Sequence, residues 1–417
     1  MADVMNGFSY NKNNLFAEKV PLSKIAERFG TPAYVYSKDA LIANFKAYEK
    51  AFRGFPHLIC YALKANSNHS LLKILASLKS GADIVSGGEL YRALKAGISS
   101  KKITFAGVGK TRDEIREALR KDILLFNVES EGELRLIGEE AARKNRVARI
   151  SIRVNPDIDP GTHPYISTGL KEHKFGVTME AAPALYKIGT SFSHIEVCGI
   201  HMHLGSQIQA IGPFVEAVGK VMALVEKLES NGIRIRYFDM GGGLGIDYEK
   251  GNTGLHPSDL AKAVRPLLKS KKLTLLLEPG RSLIANAGIL LTKVLYVKNY
   301  GHKRFVVVDA GMNDLIRPSL YNAIHRIAPV KHRSSQTVVA DIVGPVCETG
   351  DFLARDRSIE SPEPGDYLAV FSAGAYGFAM SSNYNSRLRP AEVLVDGSRF
   401  KLIRRRETFS DLTRLEV

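Results

Sequence analysis

Cysteine is scarce. Three occur in 417 residues, Cys60, Cys198 and Cys347, too few for a disulfide framework. Long apolar runs are also missing. None approaches the roughly 20 residues of a membrane span, and Met1 to Asn14 is a polar leader without the apolar core of a signal peptide. These absences predict a soluble, cytoplasmic protein with no membrane partner. No low-complexity segment or short repeat interrupts the chain. No zinc-finger or RNA-recognition motif accompanies its formal charge of +15, which comes from 58 basic and 43 acidic residues. A nucleic-acid binder clusters such charge on one face. Here it is interspersed, as in Lys110-Thr-Arg-Asp-Glu-Ile-Arg116, and the longest basic cluster is Arg404-Arg-Arg406. The excess reads as solvated surface that helps to draw in anionic ligands, and nucleic acid is not an expected partner.

A chain this long exceeds one ordinary core, so two domains are expected. Its hydrophobic content of 45% is enough for both. Residues 1–37 offer a short helix around Leu22–Phe29 and a strand, Ala33-Tyr-Val-Tyr36. Lys38–Phe52 looks helical, with Leu41, Phe45 and Tyr48 on one face. An alternation then begins. Apolar runs at 57–64, 82–86, 102–107, 123–128, 149–154, 197–204, 236–240 and 273–277 are separated by amphipathic stretches such as Leu71–Leu78, Asp113–Leu119, Glu131–Arg143 and Phe214–Leu228. Strand-helix alternation implies a parallel sheet. Eight repeats point to a closed (β/α)8 TIM-like barrel over 38–282, with a doubly wound open sheet as the alternative. After about residue 285 the segments become short, β-rich and punctuated by Gly and Pro, as in Ser361-Pro-Glu-Pro-Gly365. Residues 283–417, joined by 1–37, are expected to form a separate, mostly antiparallel β domain.

Barrel chemistry sits on the loops after the strands, so the strand ends carry the functional reading. The first run ends in Tyr61-Ala-Leu-Lys-Ala-Asn66. A strand-end lysine is ordinarily solvated. Its alternative is a desolvated amine, with pKa lowered by burial, that forms a Schiff base with an aldehyde cofactor. The second run ends in Asp83-Ile-Val-Ser-Gly-Gly-Glu89, the fifth in Arg153-Val-Asn-Pro156 and the sixth in His201-Met-His-Leu-Gly-Ser-Gln207. The seventh ends in Gly241-Gly-Gly-Leu-Gly245 and the eighth in Glu278-Pro-Gly-Arg281. Adjacent glycines suit either a flexible turn or a backbone that approaches a ligand, with free N–H groups for a phosphate. Their spacing is not the dinucleotide fingerprint. Glu278 closes an apolar strand and needs a partner, either an arginine such as Arg281 or a protonated pyridine nitrogen. His203 alternates with His201 and is a candidate for stacking on a flat cofactor. Lysine, glycine turn, acid and histidine together match what pyridoxal phosphate needs. No residue set points to a metal.

With Cys347-Glu348 and Gly374-Ala-Tyr376 in the same order, these motifs are highly specific together. The chain resembles the fold-type III pyridoxal-phosphate enzymes, and within them the diaminopimelate decarboxylase family, over nearly its whole length. The resemblance implies that Lys64 is the Schiff-base lysine, that His203 stacks on the ring, and that Asp83 and Ser206 contact the cofactor. It implies a phosphate site of Gly241, Gly242, Gly243, Pro279, Gly280 and Arg281, with Tyr376 near phosphate and substrate, and Glu278 on the ring nitrogen. It also implies a homodimer in which Cys347, catalytic, and Glu348, substrate-binding, reach the partner's site. Read alone, Cys347 would be an inert core thiol like most free cysteines.

Decarboxylases for arginine, ornithine or a polyamine precursor share most of these motifs. Arg317-Pro-Ser-Leu-Tyr321 favours a substrate with two carboxylates, because guanidinium pairs with carboxylate bidentately. Arg281, Arg317, Tyr321, Glu348 and Tyr376 are then the expected substrate-binding set. His163-Pro-Tyr-Ile-Ser-Thr-Gly169 and Lys174-Phe-Gly176 also resemble the diaminopimelate enzymes, and Leu388, where the family often has proline, touches no assigned role. The implied reaction is decarboxylation of meso-2,6-diaminopimelate to L-lysine and CO2, the last step of lysine biosynthesis. Non-catalytic barrels that carry the same cofactor typically lack a second domain, which this chain has.

Overall fold

The computed structural model describes residues 3–159, 161, 174–249, 254–269, 272–333 and 336–417. The segment 163–169 and the loop 160–169 lie outside them apart from Gly161. The chain divides into two compact units. One holds Phe45–Gly245 and Leu255–Gly280; the other holds Met1–Asn44, Ile246–Gly254 and Arg281–Val417. Among the described residues no helix is long and apolar enough to cross a membrane.

The first unit is the (β/α)8 barrel. Its strands are His57–Ala62, Gly81–Ile84, Ile103–Phe105, Leu125–Val128, Ala148–Asn155, Ile195–His201, Tyr237–Asp239 and Thr274–Leu277. Every neighbouring pair is parallel. Ala148–Asn155 pairs with Leu125–Val128, and Thr274–Leu277 pairs with His57–Ala62, so the sheet closes on itself and the open alternative is set aside. Such strands are buried on both faces, which is why they read as continuous apolar runs. Several helices begin where a side chain can accept the first free N–H groups. Thr111 and Glu114 form a reciprocal cap on Arg112–Lys121, and Ser86 and Ser130 cap Gly87–Lys95 and Glu131–Arg143.

Polar residues break the apolar pattern on the inside of the barrel. Asp83, Thr104, Asn127, Ser151, His201, Asp239 and Glu278 are all buried. They cluster toward the C-terminal ends of the strands, and buried polar groups must pair with one another or with a ligand. Ser151 donates to Asn127 Oδ1, and Asn127 Nδ2 donates to Asp239 Oδ2 at 3.1 Å.

The second unit is β-rich. A mixed sheet runs through Gly288–Tyr300, whose neighbours include Ala33–Ser37, Lys303–Val308 and Tyr367–Val370, all antiparallel to it. Two pairings in this sheet are parallel, Lys303–Val308 with Thr337–Val343 and Ala391–Asp396 with Ala33–Ser37. The polar leader expected at the N-terminus is instead part of an antiparallel sheet of Asp3–Met5, Phe8–Asn11, Asn14–Ala17 and Val20–Pro21. Met5, Phe8, Leu15, Ala17 and Val20 enter one core with Ile289, Leu291, Phe371, Val393 and Val395. Each such large side chain contributes roughly 1.5–3 kcal/mol on burial, which outweighs the polar residues between them. The two-residue turn Asn6-Gly7, with Gly7 at φ 79°, is a strong hairpin signal.

Candidate active site

Lys64 sits just past the first barrel strand, in the tight turn Leu63–Ala65. Its Nζ donates to Asp83 Oδ2 at 2.6 Å. The carboxylate is fully buried, whereas the lysine side chain is 35% exposed. The expectation of a desolvated amine is corrected here: Asp83 holds the amine by an ion pair at the mouth of the barrel, because the turn lifts Lys64 out of the strand's buried face.

Glu278 ends the last barrel strand and is 4% exposed. Its nearest basic neighbours are imidazoles rather than an arginine, with Oε2 3.6 Å from His201 Nε2 and 4.0 Å from His203 Nδ1. Asn127 Nδ2 approaches Oε1 at 3.4 Å. Burial, then the charge of Asp83, raises the Glu278 pKa. Burial also holds Asp239 well above the carboxylate range, and the Asp239–Glu278 hydrogen bond raises Asp239 while lowering Glu278. In that bond Asp239 is the donor and Glu278 the acceptor, while burial still holds the Glu278 pKa up. Burial keeps both histidines neutral, with His201 lowered to about 4 and His203 well below its usual value. The His203 Nδ1 accepts from the Gly242 N–H at 3.2 Å, leaving its proton on Nε2.

The glycine turn is packed too closely for side chains, and its Gly241 N–H donates to Asp239 Oδ1 at 3.1 Å. Gly241 and Gly243 have φ of 72° and 102°, a region that side chains rarely adopt. A Cβ at Gly242 would lie 2.2 Å from the Glu278 carbonyl oxygen, and one at Gly243 2.4 Å from that of Gly205. Gly280 packs its α-carbon against Ala62 and Ala65, where a Cβ would meet both at 3.1 Å, and the Pro279 carbonyl accepts from the Ala62 N–H. Ser206, on the sixth loop, is half-buried. Amine, neutral imidazole, buried acid and glycine turn all belong to the barrel, and this set of residues fits pyridoxal phosphate.

The second unit gathers the other predicted residues. Arg281 and Arg317 are 7% and 4% exposed. The Arg281 guanidinium donates to the Tyr248 hydroxyl and lies 4.9 Å from the Tyr376 ring centre. Arg317, at the start of the short helix Arg317–Tyr321, lies 4.6 Å from the Tyr248 ring centre. Burial, and secondarily the charge of Arg281, lowers the Arg317 pKa, while Tyr248, Tyr376 and Tyr321 oppose that shift. Two like charges buried together are costly and call for an anionic ligand. Tyr376 has φ 56°, a left-handed backbone uncommon for an aromatic residue.

Cys347 and Glu348 do not join that cluster. Both are exposed, on a loop fixed by buried Asp351, which accepts from the Val346 and Met312 N–H groups at 2.6 Å. The Glu348 carboxylate accepts from the Tyr384 hydroxyl. The inert-core reading of Cys347 is thereby overturned. Sequence reasoning missed Tyr248, His325, Asn127 and Asp239. Tyr248 follows the glycine turn by only three residues, and Asn127 and Asp239 are polar letters inside apolar strands; each was a usable signal.

Comparison with known proteins agrees with this geometry. Residues 38–285 match the model of the pyridoxal-dependent decarboxylase family, pyridoxal binding domain. The diaminopimelate decarboxylase of Aquifex aeolicus is 54% identical, over 96% of this chain and 95% of that one. That of Pseudomonas aeruginosa is 52% identical over 98% of each. The crystal structure of the M. jannaschii diaminopimelate decarboxylase with L-lysine superposes with a TM-score of 0.95 at 41% identity, over 99% of this chain and 98% of that one. The chain belongs to the diaminopimelate decarboxylases, within the pyridoxal-dependent decarboxylase family.

Proposed function

We propose that the protein decarboxylates meso-2,6-diaminopimelate to L-lysine and CO2, the last step of lysine biosynthesis, as a cytoplasmic homodimer. The observation that carries the substrate reading is the pair of buried guanidiniums, Arg281 and Arg317, ringed by Tyr248, Tyr321 and Tyr376. A carboxylate entering there relieves like-charge repulsion and gains charge-assisted hydrogen bonds.

Pyridoxal phosphate, when bound, supplies an electron sink for the pair left by departing CO2. Lys64 would hold it through Nζ and, once displaced by the substrate's amino group, would be free to move a proton at the reacting carbon, with Asp83 keeping the amine in place. Ser206, Gly241, Gly242, Gly243, Pro279, Gly280, Arg281 and Tyr376 bind its phosphate and flank. His203, neutral and tied at Nδ1 to the Gly242 N–H, offers a flat face without a competing charge. Glu278, which accepts from Asp239 and whose pKa burial raises, would pair with the ring nitrogen and favour its protonated form. Arg281, Arg317, Tyr321 and Tyr376 bind the distal carboxylate, and Glu348 takes the distal ammonium. Cys347 and Glu348 act in the partner's site, a role supported by their exposure and by the prevalence of two-fold dimers. Product analysis of the purified, cofactor-loaded protein with each candidate diamino acid tests the reading. Lysine and CO2 from diaminopimelate support it, and no release of CO2 from that substrate overturns it.

A further inference from the structure

A buried arginine is usually matched by a carboxylate. Among the described residues none pairs with Arg317. Its Nη1 instead lies 2.9 Å from His325 Nε2, and His325 Nδ1 lies 2.8 Å from the Phe371 carbonyl oxygen. His325 is fully buried. A carbonyl accepts and a guanidinium donates, so Nδ1 carries the imidazole proton and Nε2 offers its lone pair to Arg317. The backbone on either side is pinned. Arg326 N–H donates to the Tyr248 carbonyl, Phe371 N–H donates to the Arg326 carbonyl, and Ile327–Pro329 pairs with Tyr367–Val370. The Tyr248 ring meets the imidazole edge-on at 4.9 Å.

We infer that His325 is a positioning residue for substrate selection: a neutral acceptor that fixes the Arg317 guanidinium while leaving its whole charge to the substrate's distal carboxylate. The inference rests on the assignment of Arg317 to that carboxylate. An acid at this position would hold Arg317 equally well but would neutralise it, and the substrate would compete with a built-in counter-ion. Burial and the Arg317 charge hold His325 down to about 3, so the acceptor stays neutral at working pH. Arg317, Arg281 and Arg357 are the charged groups acting on it. The Nε of Arg317, also buried, has no acceptor among the described residues and is a further donor for the ligand.

The test uses the cofactor-loaded enzyme and two inhibitors. L-lysine retains a carboxylate corresponding to the distal one, and cadaverine lacks it. His325→Gln keeps a neutral acceptor toward Arg317 and a donor toward the Phe371 carbonyl. It is expected to stay within about threefold of wild type in KM for diaminopimelate and Ki for lysine. His325→Glu is expected to raise both by about a hundredfold, and His325→Ala by about tenfold, figures that follow from losing a charge-assisted hydrogen bond or its charge. Cadaverine Ki and the cofactor absorbance should not change. If His325→Ala fails to fold, the Gln and Glu pair decides alone. Lysine binding to His325→Glu as tight as to wild type overturns the inference, as does an equal loss of lysine and cadaverine binding. Arg317→Ala separates the two levels: if it leaves lysine Ki unchanged, the carboxylate assignment itself has failed.

Discussion

Replacing Glu278 by glutamine removes the one titratable group that can carry charge opposite the ring nitrogen and almost nothing else. The side chain keeps its length, and the amide oxygen can still accept the Asp239 proton that the carboxylate accepts now. Asn127 Nδ2, 3.4 Å from Oε1, retains an acceptor when that oxygen faces it. The expected cost in folding is therefore small, about 1 kcal/mol for weakening one charge-assisted hydrogen bond. The expected cost in catalysis is much larger. A preorganised charge aimed at developing charge in a dry site is worth about 2.7–4 kcal/mol, or roughly a 100- to 1,000-fold loss of kcat. Cofactor affinity should fall far less, since the amine, the glycine turn and Arg281 are untouched. The assay is CO2 release at saturating diaminopimelate, with cofactor affinity measured by titration of the apo-protein. A variant whose kcat stays within about threefold of wild type would refute the electron-sink role. Glu278 would then be a structural member of the Ser151–Asn127–Asp239 network.

Lys64→Ala should abolish covalent cofactor attachment and nearly all activity; borohydride reduction and peptide mapping that place the cofactor on another lysine would sink that assignment. Mixing Lys64→Ala with Cys347→Ala chains should restore part of the activity, because a mixed dimer holds one intact site; no rescue after verified subunit exchange would mean that both residues act within one chain. Arg317→Ala should raise KM for diaminopimelate a hundredfold or more, since an unmatched buried charge costs several kcal/mol, and a cofactor spectrum lost along with it would argue for misfolding instead. Buried His325, held down to about 3, binds its proton only in the unfolded chain between about pH 3 and 6.5. That raises native stability with pH across this window. Wild type should therefore lose about 1.4 kcal/mol per pH unit relative to His325→Gln as pH falls from 6 to 4, as measured by denaturant unfolding. A difference that does not vary with pH would mean that the imidazole titrates normally.

The barrel was legible because every one of its strands is buried on both faces, so the runs stand out from the amphipathic helices between them. Other elements were harder to see. The N-terminal sheet, with strands of two to four residues, gave no run long enough to register, although Asn6-Gly7 marked its first turn. Phe352–Glu360, with Arg355, Asp356 and Arg357 in its middle, looks like a loop by composition and is held by its long pairing with Thr337–Val343. At the site, Lys64, Glu278 and the glycine turn were visible because each is an anomaly at a strand end. Their supports were fainter, because a polar letter inside a strand does not say what it pairs with. Asp239 and Asn127 lie within strands, and His325 lies far along the chain from Phe371, so their roles exist only once the fold brings them together. Lys64 itself was located correctly but not its surroundings, since the turn that exposes it depends on tertiary packing.

The most direct test of the account is a competition in one vessel. Cofactor-loaded protein is given meso-diaminopimelate, ornithine, arginine and lysine at equal concentration, and each substrate and product is followed by mass spectrometry. The account predicts that diaminopimelate is consumed and lysine accumulates while ornithine, arginine and lysine itself are left almost untouched, because only diaminopimelate brings a second carboxylate to Arg281 and Arg317. Putrescine or agmatine forming as fast as lysine would contradict it.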